Sequence, residues 1–344
     1  MSLRADVEAL AAMPRGSATH EAATADWLVN RLADVGLTGA RQTYRGRTTY
    51  AWSFAVLALA GLSRRRWLRA AAVAALELDA SGRAPLPLAR SEGTNVVVRV
   101  PARGERRRTV VLAAHHDTQR TGLVWHPALN RFGARQRLKH HTVPPYLTIP
   151  ALSVLFGLRP LALLSSALAV EQALRQAVPG ANDNATGVAA VLALLERYAA
   201  EPLDDVEVVG ALVGGEESGM LGMRAFLRGA SFDPETTLVL SLDTLGCGTP
   251  IILRAEHALL RYAYAERDLA LVPEHVARWS IGGWTDALQA KFAGLRALSL
   301  LSIGPGGVFT HYHRPDDLPE HVDFACVEAC AQVAADICEA WAHG

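Results

Sequence analysis

The stretch TNVVVRVPARGERRRTVVLAAHHDTQ, residues 94–119, decides the fold of this chain. Its two apolar runs, residues 94–100 and 109–114, are short, rich in valine and separated by a charged turn. Such runs predict two β-strands joined as an antiparallel hairpin. Directly after the second run come His115, His116 and Asp117, so polar side chains gather where a strand ends.

Helices and strands alternate through the rest of the chain. The spacing of apolar residues predicts helices at residues 19–35, 187–200, 255–271 and 322–341, and strands at residues 40–44, 206–213, 237–242 and 297–302. This alternation is typical of an α/β fold with helices on both faces of the sheet. We therefore expect a three-layer α/β/α sandwich around a mixed, mostly parallel central sheet, in a single domain that spans residues 1–344.

Composition excludes several classes of protein. Hydrophobic residues make up 50% of the chain and charged residues 20%, which excludes intrinsic disorder. Lys and Arg number 34 and so do Asp and Glu, and this zero net charge argues against a nucleic-acid partner. The four cysteines form no C-x-x-C pair, which favours buried core thiols over a thiolate site. No apolar signal sequence opens the chain, which indicates the cytoplasm.

Two apolar segments, residues 48–78 and 143–177, interrupt the alternation. Each contains two apolar runs broken in the middle, at residues 64–66 and 157–160, and each run is shorter than the ~20 residues of a membrane span. The segments therefore predict two inserted helical hairpins. A cap over the functional site, a membrane-dipping anchor and self-association all stay open for them. Residues 64–66 and the basic run at residues 131–141 are compatible with anionic lipid.

Four further polar clusters follow a predicted strand or open a helix. They are GANDNATG with Asp183, GGEESGMLG with Glu216 and Glu217, LSLDTLG with Asp243, and THYHRPDD with Tyr312, His313 and Asp317. Open α/β sheets build their sites outside the carboxyl ends of strands. Imidazoles and carboxylates without a thiolate suit zinc, with Mn²⁺ or Co²⁺ as alternatives. In an adjacent Glu pair, one carboxylate can bind metal while its neighbour takes a proton.

Each cluster alone has an ordinary explanation. A single His or a Glu pair is more often a solvated surface feature, and Asp183 at a helix start could be a plain cap. If each cluster were explained separately, it would be a coincidence that all five lie at the ends of strands or helices. Taken together, they favour one metal site.

In this order the five motifs resemble those of metallopeptidase family 28, the di-zinc aminopeptidases. The matching stretches are HHD, GANDNATG, GEESGMLGM, LDTLG and YHRPDD, and the resemblance covers most of the chain outside the two apolar segments. It implies a zinc-aminopeptidase-like fold and the removal of N-terminal residues from peptides. It also implies two bound Zn²⁺ ions.

The resemblance assigns a role to each matching residue. It implies that one zinc ion is bound by His115, Asp183 and Asp243, and the other by Asp183, Glu217 and His313. Glu216 would be the general base, and Tyr312 would help to polarise the substrate carbonyl. Asp117 would orient His115, and Asp317 would lie behind His313. The resemblance also implies a cis peptide bond between Asp183 and Asn184.

The chain departs from the family pattern in two places. His116 stands where a tyrosine is common, and Arg314 stands where a threonine is frequent. Because neighbouring residues of an extended chain point to opposite sides, we expect only His115 of the His pair to bind metal. Asp286, in GGWTDAL, resembles a motif from the wall of the family's site.

Two other functions stay open at this stage. A glutaminyl-peptide cyclotransferase-like enzyme would share the fold and much of the metal site, and typically works with one zinc ion. A non-catalytic, membrane-associated binding protein would keep the fold as a scaffold. The intact pair Glu216 and Glu217 argues against the scaffold, which needs neither carboxylate.

Overall fold

The structure, a computed structural model, describes residues 2–129 and 145–344. The basic run predicted at residues 131–141 lies outside these ranges, and so does the start of the second apolar segment at residues 143–144. No helix within the described ranges is long and apolar enough to cross a membrane.

One mixed sheet of nine strands forms the centre of the described chain. The strands are β1 (Ala40–Arg47), β2 (Arg90–Val100), β3 (Arg103–His115), β4 (Asp204–Val213), β5 (Thr237–Leu242), β6 (Thr249–His257), β7 (Arg261–Ala263), β8 (Ala277–Gly282) and β9 (Arg296–Ile303). Their order is β1-β2-β4-β3-β5-β9-β6-β7, and β8 pairs with β6. Neighbours in the central run β4-β3-β5-β9 are parallel, whereas β1, β2 and β7 pair antiparallel toward the two edges.

Helices cover both faces of this sheet, as the sequence predicts. They are α1 (Leu3–Ala11), α2 (Glu21–Ala33), α3 (Ala51–Ala58), α4 (Arg66–Ala80), α5 (Pro145–Phe156), α6 (Arg159–Leu174), α7 (Thr186–Ala200), α8 (Leu221–Gly229), α9 (Glu266–Leu269), α10 (Ala287–Phe292) and α11 (Phe324–His343). Helices α1, α7 and α11 pack together in one layer, and α8 packs on α10 in another. The three-layer α/β/α sandwich is therefore confirmed.

The middle of the sheet is buried because its strands are apolar on both faces. In β3, Val110, Val111 and Leu112 are fully buried, and every residue of β5 is buried. Central parallel strands require this composition, since helices cover them from both sides.

The predicted hairpin between residues 94–100 and 109–114 is wrong. Strand β4 lies between β2 and β3, antiparallel to β2 and parallel to β3. The charged turn is only a local signal in the sequence. Which strands pair depends instead on how deeply each strand is buried. A strand as apolar as β3 belongs at the centre of the sheet, where it gains a partner on each side: β4 and β5.

The ends of the first apolar segment lie at the same edge of the sheet as His115. Arg47 at the end of β1 pairs with Arg90 at the start of β2. Strand β4 runs antiparallel to β2, and its last residue, Val213, pairs with His115. The helices between β1 and β2 therefore rise from the edge where β3 ends at His115.

The helix predicted at residues 255–271 is also wrong. The stretch contains the end of β6, all of β7 and the short helix α9. Ala255 pairs with Ala263 in an antiparallel ladder, and the buried Glu256 accepts hydrogen bonds from Tyr264 and Thr285. These long-range contacts override the helical spacing of apolar residues.

Helices α3 to α6 form a separate cluster on the site side of the sheet. Helices α3 and α4 lie in the first apolar segment, and α5 and α6 lie in the second. Phe54, Leu76, Leu147 and Ala169 share a small apolar core. Ser166 of α6 donates a hydrogen bond of 2.9 Å to the backbone oxygen of Ala55 in α3, which joins the two segments.

Candidate metal centre

Three parallel strands end at the same place and deliver the first site residues. His115 is the last residue of β3, Glu216 and Glu217 follow the end of β4, and Asp243 follows β5. Because these strands run parallel, their carboxyl ends meet at one edge of the sheet. The clusters that are scattered in sequence are brought together for this reason.

Asp183 enters the site from the segment that precedes α7. Asp317 accepts hydrogen bonds from the backbone N–H groups of Asn182 (2.8 Å) and Asp183 (3.1 Å), which fixes this segment. Asn184 donates to the backbone oxygen of Leu242 at 2.9 Å and so ties it to β5. The Asp183–Asn184 peptide bond is cis, as the resemblance implies.

The two carboxylate oxygens of Asp183 face two different imidazoles. Its Oδ1 lies 3.3 Å from His115 Nε2, and its Oδ2 lies 3.0 Å from His313 Nε2. Asp243 Oδ1 completes the first group at 3.6 Å from His115 Nε2. Glu217 Oε1 completes the second group at 3.2 Å from His313 Nε2. The donor atoms of each group lie within 4.8 Å of one another, so each group could hold one metal ion.

Several of these donor atoms are buried without a hydrogen bond. Within the described residues, His115 Nε2, His313 Nε2 and Glu217 Oε1 have no hydrogen-bond partner. A buried polar atom left unsatisfied costs about 1–3 kcal/mol. Coordination to a metal ion would satisfy all three. Imidazole nitrogens and carboxylate oxygens without a thiolate are a donor set that fits zinc.

The electrostatics of the site favour the binding of positive charge. Burial lowers the pKa of His313, but Glu217 and Asp183 outweigh it and raise the pKa to about 9. The pKa of His115 is likewise held well above its usual value against burial, mainly by Asp117 and Asp183. Burial raises the pKa of Glu217 to about 7. Each shift favours a proton where a divalent cation would also be attracted.

Glu216 and its neighbour Glu217 differ in the hydrogen-bond partners of their side chains. Gln119 Nε2 donates to Glu217 Oε2 at 2.9 Å and to the backbone oxygen of Glu217 at 3.1 Å. The side chain of Glu216 has its Oε2 4.0 Å from His115 Nε2. Burial raises the pKa of Glu216 well above its usual value, and the negative charge of Glu217 raises it further. A carboxylate with raised proton affinity beside the donor groups is suited to accept a proton.

Asp117 lies beside His115, as the resemblance implies, but the backbone makes the closer contact. His115 Nδ1 lies 3.1 Å from the backbone oxygen of Asp117 and 3.6 Å from its Oδ1. Donation by Nδ1–H to that carbonyl leaves Nε2 free to bind a metal ion. The carboxylate of Asp117 accepts from Ser17 and from the backbone N–H of Glu216 (3.1 Å). It thus anchors the loop that carries Glu216.

The placement expected for Asp317 is wrong. Its carboxylate binds the backbone of Asn182 and Asp183, and His313 Nδ1 makes no hydrogen bond within the described chain. Asp317 therefore supports the carboxylate of Asp183 and not the ring of His313. The reason is that the consecutive N–H groups of Asn182 and Asp183, which precede α7, offer a carboxylate two donors, whereas an imidazole nitrogen offers one.

Aromatic side chains form the wall around His313. The ring of Tyr312 stacks on His313 with centroids 3.6 Å apart, and the ring of Trp125 meets His313 edge-on at 4.3 Å. Burial raises the pKa of Tyr312 well above its usual value, so the hydroxyl keeps its proton. Tyr312 therefore lies beside the second group of donor atoms with its hydroxyl protonated.

The remaining candidates take no direct part in either group. His116 turns away from the site, with Nε2 2.9 Å from the backbone oxygen of Thr94, as the alternation of an extended chain predicts. Burial lowers its pKa to about 4. Arg314 pairs with Asp316 at 2.7 Å. Asp286 is buried nearby, and burial raises its pKa well above its usual value.

Sequence reasoning missed several residues of the site. Gln119 stands two positions after Asp117 on the same extended stretch, and that spacing was the one local signal available for it. Trp125 precedes a segment without recognisable pattern. Tyr50 and Tyr146 begin the helices of the apolar segments, and only the fold brings them to the site.

Two neighbouring cavities on the site side of the sheet share part of their lining. The smaller, about 60 Å³, is lined by Glu216, Glu217, Tyr312 and His313 together with aromatic residues. The larger, about 260 Å³, lies between α3, α5 and α6 and has an almost wholly apolar lining that includes Ile149, Leu164 and Ala169. Tyr50, Phe54 and Tyr146 belong to both cavities. We call the larger one the apolar chamber.

Comparison with solved structures finds proteins of the same fold. An aminopeptidase from Aneurinibacillus sp. strain AM-1 is 14% identical with a TM-score of 0.60, over 98% of this chain and 92% of that one. BSAP, a zinc aminopeptidase from Bacillus subtilis, is 13% identical with a TM-score of 0.59, over 98% and 93%. A glutaminyl cyclase from Bacteroides thetaiotaomicron is 13% identical with a TM-score of 0.59, over 98% and 96%. Identities this low show a shared fold only.

Sequence comparison is more specific. Among curated proteins none matches the chain significantly. The sequence model of peptidase family M28 matches residues 95–338, well over half of the chain, and includes every candidate metal ligand. The chain belongs to peptidase family M28.

Proposed function

We propose that this chain is a zinc-dependent exopeptidase that releases N-terminal residues from peptides, with two zinc ions bound at the carboxyl edge of its sheet. The observation that carries the proposal is the position of Asp183. Its two oxygens face the Nε2 atoms of His115 and His313 at 3.3 Å and 3.0 Å. A carboxylate so placed is suited to bridge two ions.

Two sets of ligands follow from this position. His115, Asp183 and Asp243 would hold one ion, and Asp183, Glu217 and His313 would hold the other. Zinc supplies a Lewis acid that polarises a carbonyl and lowers the pKa of water. Gln119 fixes Glu217 through two hydrogen bonds, which supports a ligand role for Glu217 and leaves Glu216 for proton transfer.

The chain's own residues would move the proton. Glu216 would accept the proton of the attacking water at its carboxylate and return it to the leaving amine, so that the same group serves as base and then as acid. The hydroxyl of Tyr312 would donate to the substrate carbonyl oxygen. Burial raises the pKa of Tyr312, so its hydroxyl stays protonated, which supports its role as a donor.

The enclosed site supports action at a chain end. The cavity beside the donor groups is about 60 Å³ and is walled by Trp125, Tyr146 and Trp284. A small, walled space of this kind favours the end of a peptide over an internal segment of a chain. Nearby carboxylates would hold the free α-amine of the substrate.

The apolar chamber supports a preference for large apolar N-terminal residues. It offers about 260 Å³ and shares Tyr50, Phe54 and Tyr146 with the smaller cavity. Burial of an apolar side chain there would contribute about 1.5–3 kcal/mol to binding. A charged side chain would find no partner in this lining.

We place this activity in a reducing compartment such as the cytoplasm. The four cysteines are all buried and free, and none is paired as a disulfide. Structural disulfides are rare in reducing compartments, which supports this location.

The decisive experiment combines metal content with activity of Glu216→Gln. We expect the variant to keep its zinc while turnover of an amino-acyl p-nitroanilide falls about 10²–10⁴-fold. Asp243→Asn serves as a comparison, because it should lose metal. Wild-type protein that binds no zinc would revive the scaffold function. Cyclisation of N-terminal glutamine without hydrolysis, by a form with one zinc ion, would replace the exopeptidase by the cyclase.

A further inference from the structure

Exposed large apolar side chains concentrate on the α3–α6 cluster. Trp67 and Phe156 are each 65% exposed. The same surface exposes the leucines Leu59, Leu62, Leu68, Leu152, Leu155, Leu158, Leu161, Leu163 and Leu164. Beyond residues 56–174, only Leu259 and Leu260 of the described chain belong to this class. A concentration of exposed apolar side chains on one cluster of helices indicates an interaction site.

Two segments of this cluster, one from each apolar segment, meet at one place. Gly61 packs against Val154 and Ala162 so closely that an added Cβ would lie 2.6 Å from the Cβ of Ala162. Gly157 packs against the guanidinium of Arg69. Residues 59–69 and 155–161 therefore form one surface, which we call the tip. It presents Trp67 and Phe156 together.

The tip is basic as well as apolar. Arg64, Arg65, Arg66 and Arg159 are exposed there, and within the described residues none of them forms a salt bridge. Residues 48–76 and 145–170 contain no Asp or Glu. The rest of the chain balances this charge, because the net charge of the whole is zero. The tip therefore combines a local excess of arginine with exposed aromatic rings.

We propose that the tip docks on the surface of a membrane that contains anionic lipid. Trp67 and Phe156 would enter the interface between headgroups and acyl chains, where aromatic side chains are favoured. The arginines would contact the lipid phosphates, as basic clusters beside apolar side chains do. A second copy of this chain fits less well, since a symmetric contact would bring the arginines of both copies together.

Docking of this kind sets the distance of the active site from the membrane. Tyr146 at the start of α5 borders the site, and Phe156 at the end of α5 belongs to the tip. The 12 residues of α5 span about 18 Å. The site would face the membrane across roughly one helix length, within reach of peptides that are held at the lipid surface.

Vesicle sedimentation of the full chain tests the proposal. We expect binding to vesicles of phosphatidylcholine with phosphatidylglycerol, weaker binding to pure phosphatidylcholine, and loss of the difference at high salt. The double variant Trp67→Ser, Phe156→Ser should bind at least about tenfold more weakly. Leu259→Ser, Leu260→Ser is the matched control, because it removes exposed apolar residues from another surface and should bind as wild type.

A second pair of variants tests the charge. Arg64→Ser, Arg65→Ser should lose most of the preference for anionic vesicles, whereas Arg106→Ser, Arg107→Ser should keep it. Peptidase activity on a soluble substrate should stay unchanged in all four variants, so this proposal can fail while the proposed function stands. Wild-type protein that ignores anionic vesicles would overturn the proposal. So would a stable dimer, measured by light scattering, that Trp67→Ser, Phe156→Ser dissociates without any effect on lipid binding.

Discussion

His313 Nε2 lies 3.0 Å from Asp183 Oδ2, although the two residues are distant in the chain. The other oxygen of Asp183 faces His115. Asp183 thus joins the loop after β9 to the end of β3, and the site depends on how precisely its backbone is held. Asp317, which binds the N–H groups of Asn182 and Asp183, is part of that support.

The hydrogen bonds from Gln119 to Glu217 predict a selective effect on one metal ion. Gln119→Leu should weaken binding of the second zinc ion about 10–100-fold, because a ligand that loses its orienting partner binds less well. Binding of the first ion, through His115 and Asp243, should change little. Titration calorimetry with Zn²⁺ on the metal-free protein separates the two affinities. An equal loss at both sites would contradict the ligand assignment.

The apolar chamber predicts a substrate preference that can be altered. Leu164 lines the chamber and Leu163 beside it does not. Leu164→Trp should reduce kcat/KM for leucyl and phenylalanyl substrates about 10–100-fold, because the larger ring fills the space that their side chains need. The value for alanyl substrates should change little.

Leu163→Trp is the matched control, since both leucines are about equally exposed, at 50% and 53%. It should behave as wild type on every substrate. If both tryptophan variants lose activity alike, or if Leu164→Trp affects alanyl and leucyl substrates equally, the chamber does not hold the side chain.

Buried Glu256 predicts a stability that falls as the pH rises. Burial raises its pKa to about 7, against hydrogen bonds from Tyr264 and Thr285 that lower it. The folded-state pKa exceeds the unfolded value of about 4.3, so the folded state favours the protonated form. This contribution is complete below the unfolded pKa and is lost as the pH rises through about 7.

Glu256→Gln should remove that dependence. The amide can donate to the hydroxyls of Tyr264 and Thr285 and accept from the backbone N–H of Thr285, which matches the partners of the neutral acid. Urea unfolding at pH 5 and at pH 8 gives the free energy of unfolding of both proteins. From pH 5 to pH 8, wild type should lose up to about 3 kcal/mol more of this free energy than the variant. Glu274→Gln, at an exposed residue, should show no such difference from wild type. Parallel pH profiles for wild type and Glu256→Gln would refute the assignment.

Strand positions and site residues were predictable because their signals are local. Apolar runs such as residues 109–114 and 237–242 identify buried strands, and polar clusters such as GEESG mark the point where a strand ends. Pairing was not predictable in the same way. The charged turn between β2 and β3 predicts a hairpin, yet β4, far along the chain, separates the two strands.

The errors at the site have a similar cause. Asp317 occupies the expected place in the sequence motif, but its partners are N–H groups of another loop, which no spacing reveals. Gln119 and Trp125 belong to no motif and take their roles from the residues that lie opposite them. Local pattern therefore predicts which residues reach the site, and the fold decides which of them touch.

Zinc stoichiometry tests the central claim most directly. The purified wild-type chain, equilibrated with excess Zn²⁺ and freed of unbound metal, should contain two zinc ions per chain by elemental analysis. Asp183→Ala should lose most of both, because this one carboxylate faces both imidazoles, while circular dichroism confirms that the variant is folded. A single ion in wild type, or two ions retained by folded Asp183→Ala, would contradict the account.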